Sequence, residues 1–443
     1  MSAFAGYRLQ TTGYSYARGA RESASPWGEA RRAKRAGEGK ACVHQRALDL
    51  QPTAYSLQPS EGRAGSNAVS SPEAHGPSPA AQQNTVLIMA GGTGGHVFPA
   101  LAAARVLRER GFEPVWLGTQ RGLEAKLVPP QNIPIEWITV SGIRGKGIAT
   151  LLAAPFQLVR AVWQSLLVIR RHKPVVVLGA GGFVSGPGGI AAWLARRPLV
   201  IHEQNAIAGM TNRTLAHFAK RVLEAFPASF PRSVRAEHVG NPVRREIASL
   251  PPPEKRYSER KGRMRLLILG GSQGAARLNT VVPAAIANID ESIRPIVLHQ
   301  AGERHIAQAQ ELYAKHGVAA DVRAFIDDMA EAYGGADLII CRSGALTVSE
   351  IAAAGLPAIF VPFPAAVDDH QTRNAEFLVR AGAAVLIPES ELTPAKLSAE
   401  LRALLEAGRP KLAEMAAKAR AVAITDADVR LADACVAAAG GAR

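Results

Sequence analysis

The chain has 443 residues, 47% of them hydrophobic, which suits two folded units with sizeable cores. Lys and Arg outnumber Asp and Glu by 52 to 37, a formal charge of +15 that points to an anionic partner. Aromatic residues make up only 5% without basic-aromatic interleaving, which argues against nucleic acid, and three scattered cysteines (Cys42, Cys341, Cys435) form neither a disulfide framework nor a zinc site.

Residues 1–84 are rich in Gly, Ser, Ala, Pro and Arg, include "EARRAKRAGEGK", and read as a disordered low-complexity extension. Glu22, Glu29 and Glu38 oppose a transit peptide, and no signal-peptide apolar core is present. An over-extended start of the reading frame is the alternative. This stretch holds ten of the basic and six of the acidic side chains, so the remainder still carries +11.

From Thr85 short apolar runs alternate with helix-like stretches. "TVLIMA", "PVWLG", "PVVVLGAGG" and "PLVIHEQN" read as buried parallel strands. The proline-rich, charged stretch at 249–263 reads as a linker. A second set follows in "RLLILGG", "RPIVLHQAG", "DVRAFI", "ADLIICR" and "PAIFVPFP". "VLIMAGGTGGH" and "LLILGGSQGAA" echo each other at the start of the two sets. The expected fold is therefore α/β: two doubly wound parallel-sheet domains, 85–248 and 264–420, facing one cleft, with ligands at the carboxyl ends of the strands.

"IATLLAAPFQLVRAVWQSLLVI" (148–169) does not read as a membrane span, because Pro155, Arg160 and several polar residues interrupt it. Leu152, Phe156, Val159 and Trp163 fall at helical spacing, with Arg144, Lys146, Arg170, Arg171 and Lys173 at the two ends. That pattern fits docking on an anionic bilayer; an ordinary amphipathic helix packed on its sheet is the alternative.

The first glycine loop fits neither common nucleotide fingerprint. A dinucleotide loop from Gly92 needs glycine at Val97, and "TQRGLE" after the next strand places no acid for a ribose. A P-loop from Gly91 needs Gly-Lys where His96 and Val97 stand. What remains is general: glycines expose N–H groups to an oxyanion, and a helix N-terminus adds positive charge. "GAGGFVSGPGG", "GGSQGAA" and "CRSGALTVSE" share that property, and four such loops after strands suggest more than one phosphate. In the last, Ser343 is expected to cap a helix and to leave the N–H groups of Ala345, Leu346 and Thr347 for a diphosphate. Glu350 then either accepts from ribose hydroxyls or complements the helix dipole. His96 is either a general base or a loop histidine bonded to backbone. No metal site emerges; "DAD" at 426–428 reads as helix capping.

"GGTGGHVFPALA", "SGIRGKG", "GGFVSGPGG", "HEQNAIAGMTN", "GNPVR", "GGSQGA", "FIDDM" and "CRSGALTVSEIAAAGLPAIFVPFP" together closely resemble the MurG-type N-acetylglucosaminyltransferases of glycosyltransferase family 28. The resemblance covers Thr85 onward. It implies a GT-B architecture with a final helix, 421–443, crossing back to the first domain. It also implies transfer of GlcNAc from UDP-GlcNAc to undecaprenyl-pyrophosphoryl-MurNAc-pentapeptide in peptidoglycan synthesis. The second domain would hold UDP-GlcNAc through Ser272, Ile326, Arg342, Ala345, Leu346, Thr347, Val348, Ser349, Glu350 and, less firmly placed against His370, Gln371. Thr93, Gly94, Gly95, Asn205 and Arg244 would complete the site, with His96 as the catalytic base. Phe183 stands where some members carry Tyr. No cofactor or metal is expected. Further implied are a peripheral place on the anionic cytoplasmic face of the inner membrane and partners among cell-wall synthesis and division proteins. A UDP-GlcNAc epimerase or another GT-B glycolipid synthase is the alternative.

Overall fold

The computed structural model describes residues 84–140, 148–270, 275–364 and 369–440, with the side chains of the helix that begins at Ile148 described from residue 154 onward. Outside the described residues lie the expected extension up to residue 83 with Cys42, the positions of Arg144, Lys146 and Ser272, the side chain of Leu152, and most of "GGSQGAA".

Two all-parallel sheets organise the chain. The first comprises β1 (Thr85–Met89), β2 (Glu113–Gly118), β3 (Ile135–Trp137), β4 (Val176–Gly179), β5 (Leu199–Glu203), β6 (Arg221–Glu224) and β7 (Glu237–His238), in the order β3-β2-β1-β4-β5-β6-β7. The second comprises β8 (Arg265–Leu269), β9 (Ile296–Gln300), β10 (Ala320–Arg323), β11 (Leu338–Cys341), β12 (Ala358–Phe360) and β13 (Ala384–Leu386), in the order β10-β9-β8-β11-β12-β13. In each, the winding reverses beside the first strand. Met89 pairs with Gly179 across one switch point and Leu269 with Cys341 across the other, so the loops leaving each pair start at one level. Ligands of open α/β sheets bind there.

The central strands are buried on both faces, which is why they read as unbroken apolar runs. Six helices matter for the site: α1 (Gly94–Glu109), α2 (Ile148–His172), α3 (Ser185–Leu194), α4 (Ala345–Ala354), α5 (His370–Arg380) and α6 (Ala427–Gly440). Leu431, Ala432, Cys435 and Ala438 of α6 share a core with Val86, Ile88, Ala103 and Leu107, so the last helix closes the first sheet. The alanines let α6 approach α1 closely. The "DAD" carboxylates serve ion pairs: Asp428 faces Arg105 and Arg245, and Asp426 binds Arg430.

The stretch read as a linker is docked rather than loose. Residues Pro253–Ser258 form a helical turn, the Tyr257 hydroxyl donates to the Asp337 carbonyl at 2.7 Å, and Arg260 and Arg409 pair with the fully buried Asp337 carboxylate. That carboxylate would be costly in the interior without both cations.

Candidate functional site

The loop after β1 is held from the side. Gly92 has φ +91°, the left-handed region that glycine enters without strain. Its N–H donates to Glu124 Oε2 at 2.9 Å, while Oε1 accepts the N–H and hydroxyl of Thr119 at 2.9 and 2.8 Å. Glu124 is fully buried. A Cβ on Gly122 would lie 2.0 Å from this carboxylate and one on Gly91 2.8 Å, so these glycines make room for Glu124. Glu124 belongs to the "TQRGLE" that offered no acid for a ribose; its acid anchors the loop instead. Beyond it, Thr93 starts α1 in an extended conformation, and the N–H groups of Gly94 and Gly95 have no acceptor within the helix.

The loop after β4 backs onto this one. Gly181 and Gly182 have φ +92° and +83°; added Cβ atoms would sit 2.4 Å from His96 Nδ1 and 2.2 Å from the Gly91 carbonyl oxygen. His96 is held by a side chain, not by backbone: Nδ1 lies 3.0 Å from Gln204 Oε1. Gln204 Nε2 reaches the Ala180 carbonyl at 2.9 Å and His202 Nδ1 at 3.2 Å, and His202 Nε2 reaches the Gly240 carbonyl at 2.9 Å. Glu203, also on β5, gathers the next turn by accepting from Asn205, Gly209 and Asn212. Neither Gln204 nor Glu203 was singled out by spacing, since both stand within a run that reads simply as strand.

In the second half, α4 starts at Gly344, whose backbone is extended, and its first helical bond is Val348 N–H to the Gly344 carbonyl. The N–H groups of Ala345, Leu346 and Thr347 are thus without helical acceptors. Ser343 does not cap: its hydroxyl is fully buried and has no hydrogen-bond partner among the described residues. Glu350, one and a half turns on, is buried rather than solvated. Its Oε2 accepts the Tyr333 hydroxyl at 3.3 Å, and its Oε1 has no hydrogen-bond partner among the described residues. Burial pushes its carboxyl up to about 7, against opposing effects of Arg244 and the Tyr333 hydrogen bond.

The halves meet around these groups. Arg244, leading out of the first sheet, lies 3.7 Å from Glu350 and stacks over Phe98 at 5.5 Å. Asn374 of α5, fully buried, accepts the Ala206 N–H at 2.8 Å and donates to Asn205 Oδ1 and the Ser343 carbonyl at 3.3 and 3.2 Å. Asn374 was missed, although it stands three residues beyond Gln371 on the same helix.

Other expected residues are already engaged. Arg342 donates to the carbonyls of Val361 and Pro362 and pairs with Glu389, a strut behind the loop. The Ile326 N–H donates to Gln300 Oε1 at 3.0 Å. Gln371 accepts the Phe363 N–H at 2.9 Å. Val348 lies in the core and the Ser349 hydroxyl donates to the Ala345 carbonyl at 2.9 Å. Among the described residues no group of three or more His, Cys, Asp or Glu side chains is placed to hold a metal ion.

On α2 the expected exposed apolar face exists. Phe156, Val159 and Trp163 are 80%, 70% and 55% exposed, and Ala161, Ser165, Val168 and Ile169 face the sheet. Trp193 and Leu194 of the neighbouring α3 are exposed as well. Arg171 is not a free cation, since it and His172 pair with Glu136.

Two doubly wound parallel sheets with loops converging from both carboxyl edges define a GT-B glycosyltransferase fold. The N-terminal domain of glycosyltransferase family 28 matches residues 86–224 and the family's C-terminal domain residues 265–431; the chain belongs to this family. It is 56% identical over 351 residues to the UDP-N-acetylglucosamine–N-acetylmuramyl-(pentapeptide) pyrophosphoryl-undecaprenol N-acetylglucosamine transferase of Alkalilimnicola ehrlichii, covering 79% of this chain and 98% of that one. The enzyme of the same name from Ralstonia nicotianae is 54% identical over 358 residues, 80% of this chain and 96% of the other. The crystal structure of Acinetobacter baumannii MurG superposes with a TM-score of 0.72 at 43% identity, covering 80% and 99% of the two chains. The calicheamicin glycosyltransferase CalG4, at 17% identity and a TM-score of 0.58, shares the fold alone.

Proposed function

We propose that this glycosyltransferase moves N-acetylglucosamine from UDP-GlcNAc to the C4 hydroxyl of undecaprenyl-pyrophosphoryl-MurNAc-pentapeptide, the step that completes the lipid-linked disaccharide of peptidoglycan. The observation that carries this is the 56% identity extending over 98% of the Alkalilimnicola ehrlichii transferase.

The chemistry is a direct inverting displacement. The C4 oxygen attacks the anomeric carbon, His96 takes the hydroxyl proton, and UDP leaves with the bond electrons to give a β-1,4 linkage. A base in this role contributes about 10²–10⁴-fold. The N–H groups of Ala345, Leu346 and Thr347 receive the diphosphate and stabilise charge growing on UDP, with Ser272 assigned there by resemblance alone. Glu350 takes the ribose hydroxyls, a role supported by its Oε1, which accepts no hydrogen bond among the described residues. The Ile326 carbonyl meets the uracil. The loop carrying Thr93, Gly94 and Gly95 takes the acceptor's pyrophosphate beside the reacting centre, and Asn205 and Arg244 complete the UDP-GlcNAc site.

The acceptor is lipid-linked, and no helix among the described residues is long and apolar enough to cross a membrane. The apolar face of α2, with Arg160 and Arg170 exposed beside it, supports peripheral docking on the anionic cytoplasmic surface. Proteins of cell-wall synthesis and division are candidate partners at that surface.

The test is UDP release from UDP-GlcNAc with and without a short-chain lipid-linked muramyl-pentapeptide. Release only with acceptor is expected; release without it would point to epimerisation or hydrolysis. His96→Ala should cut turnover strongly and spare UDP-GlcNAc binding, and equal loss of both would remove His96 from the base role.

A further inference from the structure

We propose that Gln204 is a positioning residue that fixes the tautomer of His96, keeping the proton on Nδ1 and leaving the Nε2 lone pair for the acceptor hydroxyl. The inference rests on the reading of His96 as the base and deepens it.

The direction of every hydrogen bond in this chain follows from its ends. Gln204 Nε2 lies 2.9 Å from the Ala180 carbonyl, which only accepts, so the amide NH₂ must face Ala180. The amide oxygen therefore faces His96 Nδ1, at 3.0 Å. An amide oxygen cannot donate, so Nδ1 must carry the hydrogen. A neutral imidazole has one N–H, and Nε2 is left bare.

The other amide hydrogen points the same way. Gln204 Nε2 lies 3.2 Å from His202 Nδ1, which must then be a lone pair, and His202 Nε2 at 2.9 Å from the Gly240 carbonyl is the ring's donor. Complete burial lowers the His202 pKa to about 4, so this ring stays neutral near pH 7 with a single N–H. A flipped Gln204 amide would set oxygen against the Ala180 oxygen and against the His202 lone pair. Two backbone carbonyls, which cannot reverse, thus fix the polarity of the path from Gly240 to His96.

Space enforces the same contact. Gly181 passes so close that any Cβ would sit 2.4 Å from His96 Nδ1 and 3.1 Å from Gln204 Oε1. Free neutral histidine in water favours the Nε2-protonated form, which could not serve as a base toward a hydroxyl at Nε2. Gln204 reverses that preference before substrate arrives.

The tautomer can be read directly from side-chain ¹⁵N shifts of histidine-labelled protein without substrate, at a pH where imidazole is neutral, with His96 assigned by its loss in His96→Ala. The Nδ1–H form is expected, and an Nε2–H form in the wild type overturns the proposal. Gln204→Leu should move His96 toward the other tautomer and lower kcat about tenfold to hundredfold, within what a general base contributes, while the Kd for UDP-GlcNAc stays put. Gln204→Glu keeps an acceptor at Nδ1, so it should retain the tautomer and turn over faster than Gln204→Leu, even though its second oxygen opposes the Ala180 carbonyl and lowers Tm. Turnover that follows Tm rather than tautomer, or a Leu variant with unaltered His96 shifts, overturns the positioning role. Because the spectrum needs no chemistry, a wrong assignment of the base shows separately, as an active His96→Ala.

Discussion

Arg244 and Glu350 meet across the two halves of the molecule, 3.7 Å from guanidinium nitrogen to carboxylate oxygen, and that oxygen accepts no hydrogen bond among the described residues. A buried carboxylate with one idle oxygen costs about 1–3 kcal/mol relative to a satisfied one. Such an arrangement is kept where a ligand supplies the missing donor, and a ribose diol carries two hydroxyls suited to it.

Glu350→Gln should therefore have two separable effects. Loss of the charged acceptor should weaken UDP-GlcNAc binding about tenfold or more, on the scale of about 1.5–3 kcal/mol for a hydrogen bond to a charged group, measurable by calorimetry. Stability should move the other way with pH. The carboxyl sits at about 7 in the folded protein against its ordinary 4.5, because burial disfavours the charge. A pKa raised by folding contributes stability that is complete below the unfolded value and is lost as pH rises through the folded one, here between about 4.5 and 7 and worth at most about 3 kcal/mol. The glutamine variant lacks this loss, so its Tm advantage over wild type should open across that window. A Tm difference that is flat in pH would show that Glu350 titrates normally.

Asn374 is the second tie between the halves. Asn374→Leu would strand the half-buried Ala206 N–H and the buried Ser343 carbonyl, and a buried group that loses its partner costs about 1–3 kcal/mol. Urea unfolding should show a loss of about 2–4 kcal/mol, with a raised KM for UDP-GlcNAc because Ser343 directly precedes the α4 N-terminus.

What the sequence made legible was decided by burial and by loop chemistry. β1, β4, β8 and β11 announce themselves because strands covered on both faces need apolar side chains at every position. β3, β7 and β13 escaped notice because they are edge pieces of two or three residues, and β6 because "RVLE" has polar ends. The phosphate-loop reading of the glycines missed Glu124, since nothing local says that a carboxylate from the next loop fills the space above Gly91. Gln204 and Asn374 were equally silent. Each has a partner more than a hundred residues away, His96 for Gln204 and Ala206 for Asn374, and no periodicity encodes those. Ser343 was misjudged because an N-cap serine and a buried serine share one pattern; the extended Gly344 took the capping position.

Glu124 gives a prediction of its own. Its carboxylate accepts three donors from Gly92 and Thr119 and offers none. Glu124→Gln is nearly isosteric but must turn an NH₂ toward one set of N–H or O–H donors, so a loss of about 1–3 kcal/mol is expected from the group left unpaired. The effect should fall on kcat and on the acceptor KM, because the freed loop leads into His96, while UDP-GlcNAc binding in the other half is untouched. An equal rise in the donor Kd would mean that the loop after β1 serves the nucleotide instead.

The α2 face separates membrane docking from folding. Phe156 and Trp163 contact mostly solvent, so Phe156→Glu and Trp163→Glu should leave Tm within about 1 °C, as surface changes within ±0.5 kcal/mol do. Ala161→Glu, two residues before Trp163 and on the buried face, should instead unfold the first half by placing an unpaired charge in its core. If the exposed face enters the bilayer, each large side chain contributes about 1.5–3 kcal/mol of apolar burial. The double variant should then lose at least about a hundredfold in binding to anionic vesicles. Arg160 and Arg170 add an electrostatic part of about 1 kcal/mol each, so binding should also weaken with salt and on replacing anionic by neutral lipid. Turnover on a short-chain acceptor in detergent should be unchanged in the Glu variants, since neither side chain is among the residues assigned to the reaction. A fall in that soluble activity, with vesicle binding intact, would move Phe156 and Trp163 from the membrane surface to the acceptor's own binding site.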